Sequence, residues 1–276
     1  KVLEEKGLTQ NIKRVAGTSA GAIISFLIAI GCRSTEITYI LNELKFKNLE
    51  TGFNPLRLFT KYGLFSGDWF YNWLKERLKD NRLNENITFA GLNSLTKNDN
   101  KFKDLYVFAV SLNKENVQGF SVDRTPDVKI IDAVRASMSI PMFFKAWTFK
   151  EMPNEIFVDG GLIYNYPISV FDNKQFLNDD ELVNERTLGF YLGSKSTGEN
   201  KIKNDLKFNE PIKYVSKVFS TLIDGESLNF KRRRQDVDRT IFLPDYGISA
   251  INFNITKEEI QKLYSGGYNK TKENLK

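Results

Sequence analysis

The apolar run Ala20–Cys32 constrains this chain more than any other feature. Ile, Leu, Phe and Ala dominate it, and it stops well short of the roughly 18 residues that a bilayer-crossing helix needs. A helix this apolar must be buried around most of its circumference. Just before it stand Ile12–Ala16, a short strand pattern, and the turn Gly17-Thr18-Ser19-Ala20-Gly21. Strand, glycine turn and buried helix in that order form one βα unit of an α/β fold. The run comes late for a secretion signal, and no A-x-A-like cleavage site follows it.

The alternation continues downstream. Ser34 is placed to cap a helix through Ile37, Ile40, Leu41 and Leu44, and Ser66 to cap one carrying Trp69, Phe70, Trp73, Leu74 and Leu78. Leu105–Leu112 reads as a strand with Gln118–Val122 as its hairpin partner. Asp127 is placed to cap a helix with Ile130, Ile131, Val134 and Met138, stopped by Pro141. Ile156–Val158, Thr187–Leu192 and Thr240–Leu243 read as strands, and residues 209–231 as a long helix with Pro211 in its first turn. Thr256 and Glu259 have capping-box spacing. The polar segments 81–103 and 194–209 read as surface loops. We therefore expect one α/β domain over residues 1–276. Its central sheet should be mostly parallel, covered by helices on both faces in three layers.

Composition narrows the chemistry. The 276 residues include no histidine and one cysteine, Cys32. That removes imidazole-based mechanisms and intramolecular disulfides, and leaves no case for a zinc site, so no metal is expected. Cys32 itself reads as a small core residue. The net charge of +6 suits an anionic membrane surface or a nucleic acid equally well. Nucleic-acid binding calls for several basic patches with interleaved aromatics. One short run, Lys231-Arg232-Arg233-Arg234, does not supply them, so no nucleic-acid partner is expected.

Gly17-Thr18-Ser19-Ala20-Gly21 fits G-x-S-x-G in the strand-to-helix context which that pattern requires. A sharp turn there strains the serine backbone and projects its Oγ. Gly17 and Gly21 are expected to let strand and helix approach closely. The Ala20 N–H opens the helix and is aimed to donate to a developing oxyanion. The same turn would also serve a helix that merely binds an anion. A nucleophilic serine needs a base, and without histidine three remain: a lysine, an N-terminal amine or a carboxylate. Asp159-Gly160-Gly161 offers a carboxylate at the end of an apolar strand, where the ligand crevice of a parallel sheet lies, with glycines that let backbone crowd beside it. Taken alone, Asp159 also fits an Asx turn closing a strand.

Together these motifs resemble the patatin-like phospholipase family. The resemblance runs from Val15-Ala16-Gly17-Thr18-Ser19-Ala20-Gly21-Ala22 through Ala136-Ser137-Met138-Ser139-Ile140-Pro141 and Asp159-Gly160-Gly161-Leu162-Ile163-Tyr164-Asn165-Tyr166-Pro167 to Gly266-Gly267-Tyr268. It implies a Ser19–Asp159 dyad, Ser19 as nucleophile and Asp159 as general base, acting on lipid acyl esters without cofactor. Phospholipids are the implied substrates, met at a transient membrane surface. Some bacterial relatives are delivered into host cells and need a host protein activator, which makes this chain a bacterial effector candidate. The family also carries a glycine-rich loop with Arg or Lys before the serine strand, supplying most of the oxyanion hole. Residues 1–18 do not match it. Lys1 reads as lying inside the helix that follows that loop, so the loop is expected upstream, and a chain without it is expected to lose about 3 kcal/mol or more of transition-state stabilisation. Burial should raise the Asp159 pKa, and activity is expected to fall only below about pH 6, with no imidazole-like titration. The rival expectation is a catalytically silent lipid-binding module that keeps the fold.

Three further features have two readings each. Phe53, Leu56, Leu58, Phe59, Tyr62, Phe65, Trp69, Phe70, Tyr71 and Trp73 form either a lid or membrane-docking surface, or plain core. Lys231–Arg234 binds lipid phosphates or simply ends a helix. Asn178-Asp179-Asp180-Glu181 either attracts Ca²⁺ or is a plain acidic run, since it lacks the ligand spacing of a calcium loop.

Overall fold

The computed structural model describes residues 1–44, 48, 50–193, 214, 217–218, 220–223, 225, 230–248 and 255–275. The chain divides into two compact units, Leu3–Asn165 and Tyr166–Lys276. No described helix is long and apolar enough to cross a membrane.

The first unit is built on strand β1 (Arg14–Thr18) and helix α1 (Ala20–Ala29), the pair that the apolar run foretold. Helix α2 (Ser34–Glu43) begins at Ser34 itself, not after it. The Ser34 hydroxyl and amide both donate to the Glu4 carboxylate, so Ser34 is not available as a cap. Glu36 accepts the Arg33 amide instead. There follow α3 (Arg57–Lys61), β2 (Gly63–Phe65), α4 (Asp68–Asp80), α5 (Phe89–Thr96), β3 (Asp104–Ser111), β4 (Asn116–Phe120), α6 (Ile130–Ser137), β5 (Met142–Phe144) and β6 (Phe157–Asp159). Gly67, at φ +70°, separates Ser66 from α4, and the Ser66 Oγ accepts the Asp68 amide at 3.2 Å. The residue flanking α6 is Lys129 rather than Asp127.

The α/β class read from the sequence holds, but the central sheet is mixed. β1 pairs with β3 in parallel, whereas β4 and β6 both run antiparallel to β3. β4 follows β3 through a four-residue turn, too short for the crossover that a parallel pair requires. The edge opposite β4 is shared. β1 occupies Asp104–Phe108 of β3, and β6 occupies Ala109–Ser111. β1 thus ends with Thr18 opposite Phe108, and β6 ends with Asp159 opposite Ala109. The two strands run toward each other along one edge and meet head-on. Every residue of β3 from Leu105 to Ser111 is buried, so both sheet faces are covered. Helices α1, α5 and α6 pack on β3. A separate parallel pair joins β2 to β5.

In the second unit β7 (Gly189–Leu192) and β8 (Thr240–Leu243) pair in parallel, with α7 (Arg234–Asp238) before β8 and α8 (Lys257–Asn274) packed on it. The expected capping box at Thr256 and Glu259 is present. Arg239 is buried between the carboxylates of Asp172 and Asp236, which compensate its charge. The expected helix 209–231 and loop 194–209 fall mostly outside the described residues.

Candidate active site

The head-on meeting of β1 and β6 decides where the site lies. Ser19 is the first residue past β1, and Asp159 is the last of β6. The Ser19 Oγ donates to Asp159 Oδ2 at 2.6 Å. Ser19 sits at φ +53°, ψ −126°, a backbone region costly for any residue with a Cβ. The surrounding structure holds it there. The Ser19 carbonyl accepts the Ala22 amide at 2.9 Å, which starts α1 and leaves Ala20 as the first helical residue.

Gly17 is needed for close approach: a Cβ there would lie 2.2 Å from the Gly21 carbonyl oxygen. The expectation for Gly21 is not met in the same way, because a Cβ at Gly21 points into open space. Only one of the two glycines admits the helix. Gly160 does crowd as expected, its missing Cβ falling 2.4 Å from the Phe108 carbonyl oxygen. Gly161 serves through its backbone, its amide donating to Asp159 Oδ1 at 2.7 Å. The Asx turn is therefore real, yet it uses only one carboxylate oxygen and leaves Oδ2 to Ser19.

A second layer was not singled out by role in the sequence. The C-terminal end of α6 touches every part of the pair. Ser137 Oγ accepts the Ser19 amide at 2.9 Å and donates to the Phe108 carbonyl at 2.6 Å, tying the turn to β3. Met138 Sδ lies 3.8 Å from Ser19 Oγ. The Ser139 carbonyl accepts the Asp159 amide at 2.9 Å. Arg135, fully buried, donates to Ser139 Oγ at 2.7 Å and to the carbonyls of Ser66 and Lys145 at 3.0 and 3.1 Å. A signal for Arg135 did exist: an arginine among Ile130, Ile131, Ala133, Val134 and Ala136, the apolar residues of α6. On the other side, Thr18 Oγ1 donates to the Tyr164 carbonyl at 2.9 Å, binding the strand to the loop after Asp159.

Asp159 is completely buried. Burial pushes its carboxyl from 3.8 up to about 7, against the lowering effect of the bonds from Ser19 Oγ and the Gly161 amide. The rise is in the direction the sequence led us to expect: burial is complete, and the two hydrogen bonds only partly offset it. A carboxylate that titrates near neutrality is a far better proton acceptor than one near 4.

Among the other sequence candidates, Cys32 is buried and accepts from Asn81 Nδ2. Glu181 is occupied by Asn178 and Arg186. Arg233 flanks the start of α7.

The fold and the site define a class: an α/β chain with an elbow serine bonded to a buried carboxylate, backed by a helix N-terminus. The sequence matches the patatin-like phospholipase family over residues 1–172, and the chain belongs to that family. It is 26% identical over 269 residues to an uncharacterized protein of Acanthamoeba polyphaga mimivirus, covering 96% of this chain and 83% of that one. It is 30% identical over 172 residues to a protein of Invertebrate iridescent virus 6 named a probable lipid hydrolase, covering 59% of this chain and 56% of that protein. The crystal structure of VipD from Legionella pneumophila superposes with a TM-score of 0.65 at 17% identity, over 99% of this chain and 62% of VipD. That likeness bears on the fold alone, and the chain spans about three-fifths of VipD.

Proposed function

We propose that this chain is a serine acyl hydrolase of lipid esters, of phospholipase A type, working through Ser19 and Asp159. The observation that carries the reading is the 2.6 Å bond from a strained elbow serine to a fully buried carboxylate. Family membership and a relative named for lipid hydrolysis support the substrate class.

In the first half-reaction Ser19 Oγ attacks the acyl carbonyl carbon, and its proton passes to Asp159 Oδ2. The carbonyl oxygen becomes an oxyanion facing the Ala20 N–H at the N-terminus of α1. Collapse of this intermediate breaks the ester C–O bond, and Asp159 returns the proton to the leaving alcohol, here the lysolipid. The acyl group is then an ester of Ser19. In the second half, water gives a proton to Asp159 and attacks the acyl-serine. Its collapse releases the fatty acid and restores the Ser19 hydroxyl. Asp159 alternates between base and acid, which suits a carboxyl titrating at about 7. The substrate is met at a membrane surface, to which the protein attaches peripherally.

The test is fatty-acid release from phosphatidylcholine, together with hydrolysis of a soluble short-chain nitrophenyl ester. Ser19→Ala and Asp159→Asn are each expected to lower both rates by about a thousandfold or more while keeping the fold. Robust turnover by either variant would end the dyad reading.

A further inference from the structure

The aromatic stretch after α2 divides into two populations. Phe65, Phe70 and Trp73 are buried, whereas Phe53, Leu56, Phe59 and Tyr62 are 57%, 73%, 81% and 54% exposed. Single exposed apolar side chains are ordinary. Four large ones on one five-residue helix and its flanks form a patch of the kind that marks an interaction surface.

The patch is held firmly. The Asn54 amide donates to the Leu64 carbonyl at 2.9 Å, closing the loop, and the Arg57 guanidinium bridges the carbonyls of Gly52 and Leu64. The Phe53 ring packs on Phe65 with centroids 5.7 Å apart. The far end is pinned to β5 and the residues after it. The Tyr62 carbonyl accepts the Met142 amide at 3.2 Å, and the Lys61 carbonyl accepts the Ala146 amide at 3.1 Å. Gly63 permits this approach, since a Cβ there would lie 2.1 Å from the Phe144 backbone. β5 in turn follows directly on Met138-Ser139-Ile140-Pro141, the block whose methionine sulfur faces Ser19 Oγ. Met142 extends the exposed patch beside Tyr62. The apolar platform is thus one short segment away from the nucleophile.

Charge selects the partner. From Thr51 to Ser66 the chain has no Asp or Glu and two cations, Arg57 and Lys61. An apolar tip with no acid beside it and an exposed Lys61 at its end complements a surface that is hydrocarbon within and anionic at its rim. We propose that Phe53–Tyr62 is a docking surface for anionic lipid bilayers. Leu56 and Phe59 enter the acyl region, Lys61 lies among the headgroups, and the elbow serine is held at the interface. The lipid partner rests on the hydrolase reading above.

Binding is measured on the Ser19→Ala chain, so that no lipid is consumed, by co-sedimentation with phosphatidylcholine vesicles containing phosphatidylserine. Adding Leu56→Ser and Phe59→Ser should weaken partitioning by about tenfold or more, and Lys61→Glu by about fivefold. On the Ser19 background the serine pair should leave soluble-ester turnover unchanged, because neither residue touches Ser19 or Asp159. A Phe59→Trp variant should be quenched by brominated lipid beyond the parent chain. Failure of the Ser19→Ala chain to bind, unchanged partitioning of the serine pair, no added quenching, or a vesicle-free dimer that hides Phe59 would each overturn the proposal. Vesicle binding that depends on Phe59 in a chain without esterase activity would uphold the docking surface and defeat the hydrolase reading instead.

Discussion

Replacing Asp159 with Asn should abolish turnover and yet stabilise the protein, in a way that depends on pH. Asn keeps the shape of the carboxyl and its acceptor oxygen for the Gly161 amide, while removing the charge. In the native state the carboxyl titrates at about 7 instead of 3.8. Between those values the unfolded chain has lost a proton that the native chain still holds. Stability of the parent therefore falls as pH rises through this window, by about 1.4 kcal/mol for each pH step. The accumulated loss reaches about 4 kcal/mol above pH 7, a large part of the stability of an ordinary domain. The Asn variant carries no such loss. Urea denaturation followed by circular dichroism, at intervals from about pH 4 to about pH 8, should show the two curves close together at the acid end and the variant ahead by up to about 4 kcal/mol at the alkaline end. A gap that does not change with pH, or a parent more stable than the variant at pH 8, would show that the carboxyl is not held neutral by burial. The assignment of Asp159 as a base tuned to neutrality would then fail.

Three further outcomes follow from the same contacts. Ser137→Ala strands the half-buried Ser19 amide and the buried Phe108 carbonyl, and should cost about 2–4 kcal/mol in urea titrations while lowering soluble-ester turnover more than it raises KM. Arg135→Met leaves the Ser66 and Lys145 carbonyls unpaired and should destabilise by about 3 kcal/mol or more; Arg135→Lys recovers only part of this, since an ammonium lacks the fork that reaches three acceptors. Gly17→Ala and Gly21→Ala should separate sharply in thermal melts: the first forces the turn open and loses at least about 3 kcal/mol, the second changes stability by about 1 kcal/mol or less.

How much of this was legible beforehand depends on the kind of signal. Ser19 and Asp159 stood out because each carries reactive chemistry beside glycines, and because the absence of histidine left a carboxylate among the few bases available. The βα unit was legible because an apolar run the length of Ala20–Cys32 has few alternatives to a buried helix. Strand direction was not legible. β6 is three residues long, and its direction follows from which part of the β3 edge β1 leaves uncovered, a tertiary fact. Nor did Ser137 and Ser139 announce themselves, since a serine at a helix end reads as a small filler until its two hydrogen-bond partners are known. The aromatic stretch could not be divided either. Phe59 and Phe70 look alike in sequence, and only tertiary packing leaves one 81% exposed while the other is buried.

The central claim is that an anionic Asp159 draws the proton from Ser19. Its most direct test is the rate at which a fluorophosphonate attaches to the intact protein, followed by mass spectrometry across pH. One adduct should form, mapped to Ser19, with a rate that rises along a single ionisation near pH 7 and slows by about a hundredfold or more in Asp159→Asn. Labelling of the Asn variant at the parent's rate, or an adduct at another residue, would contradict the account.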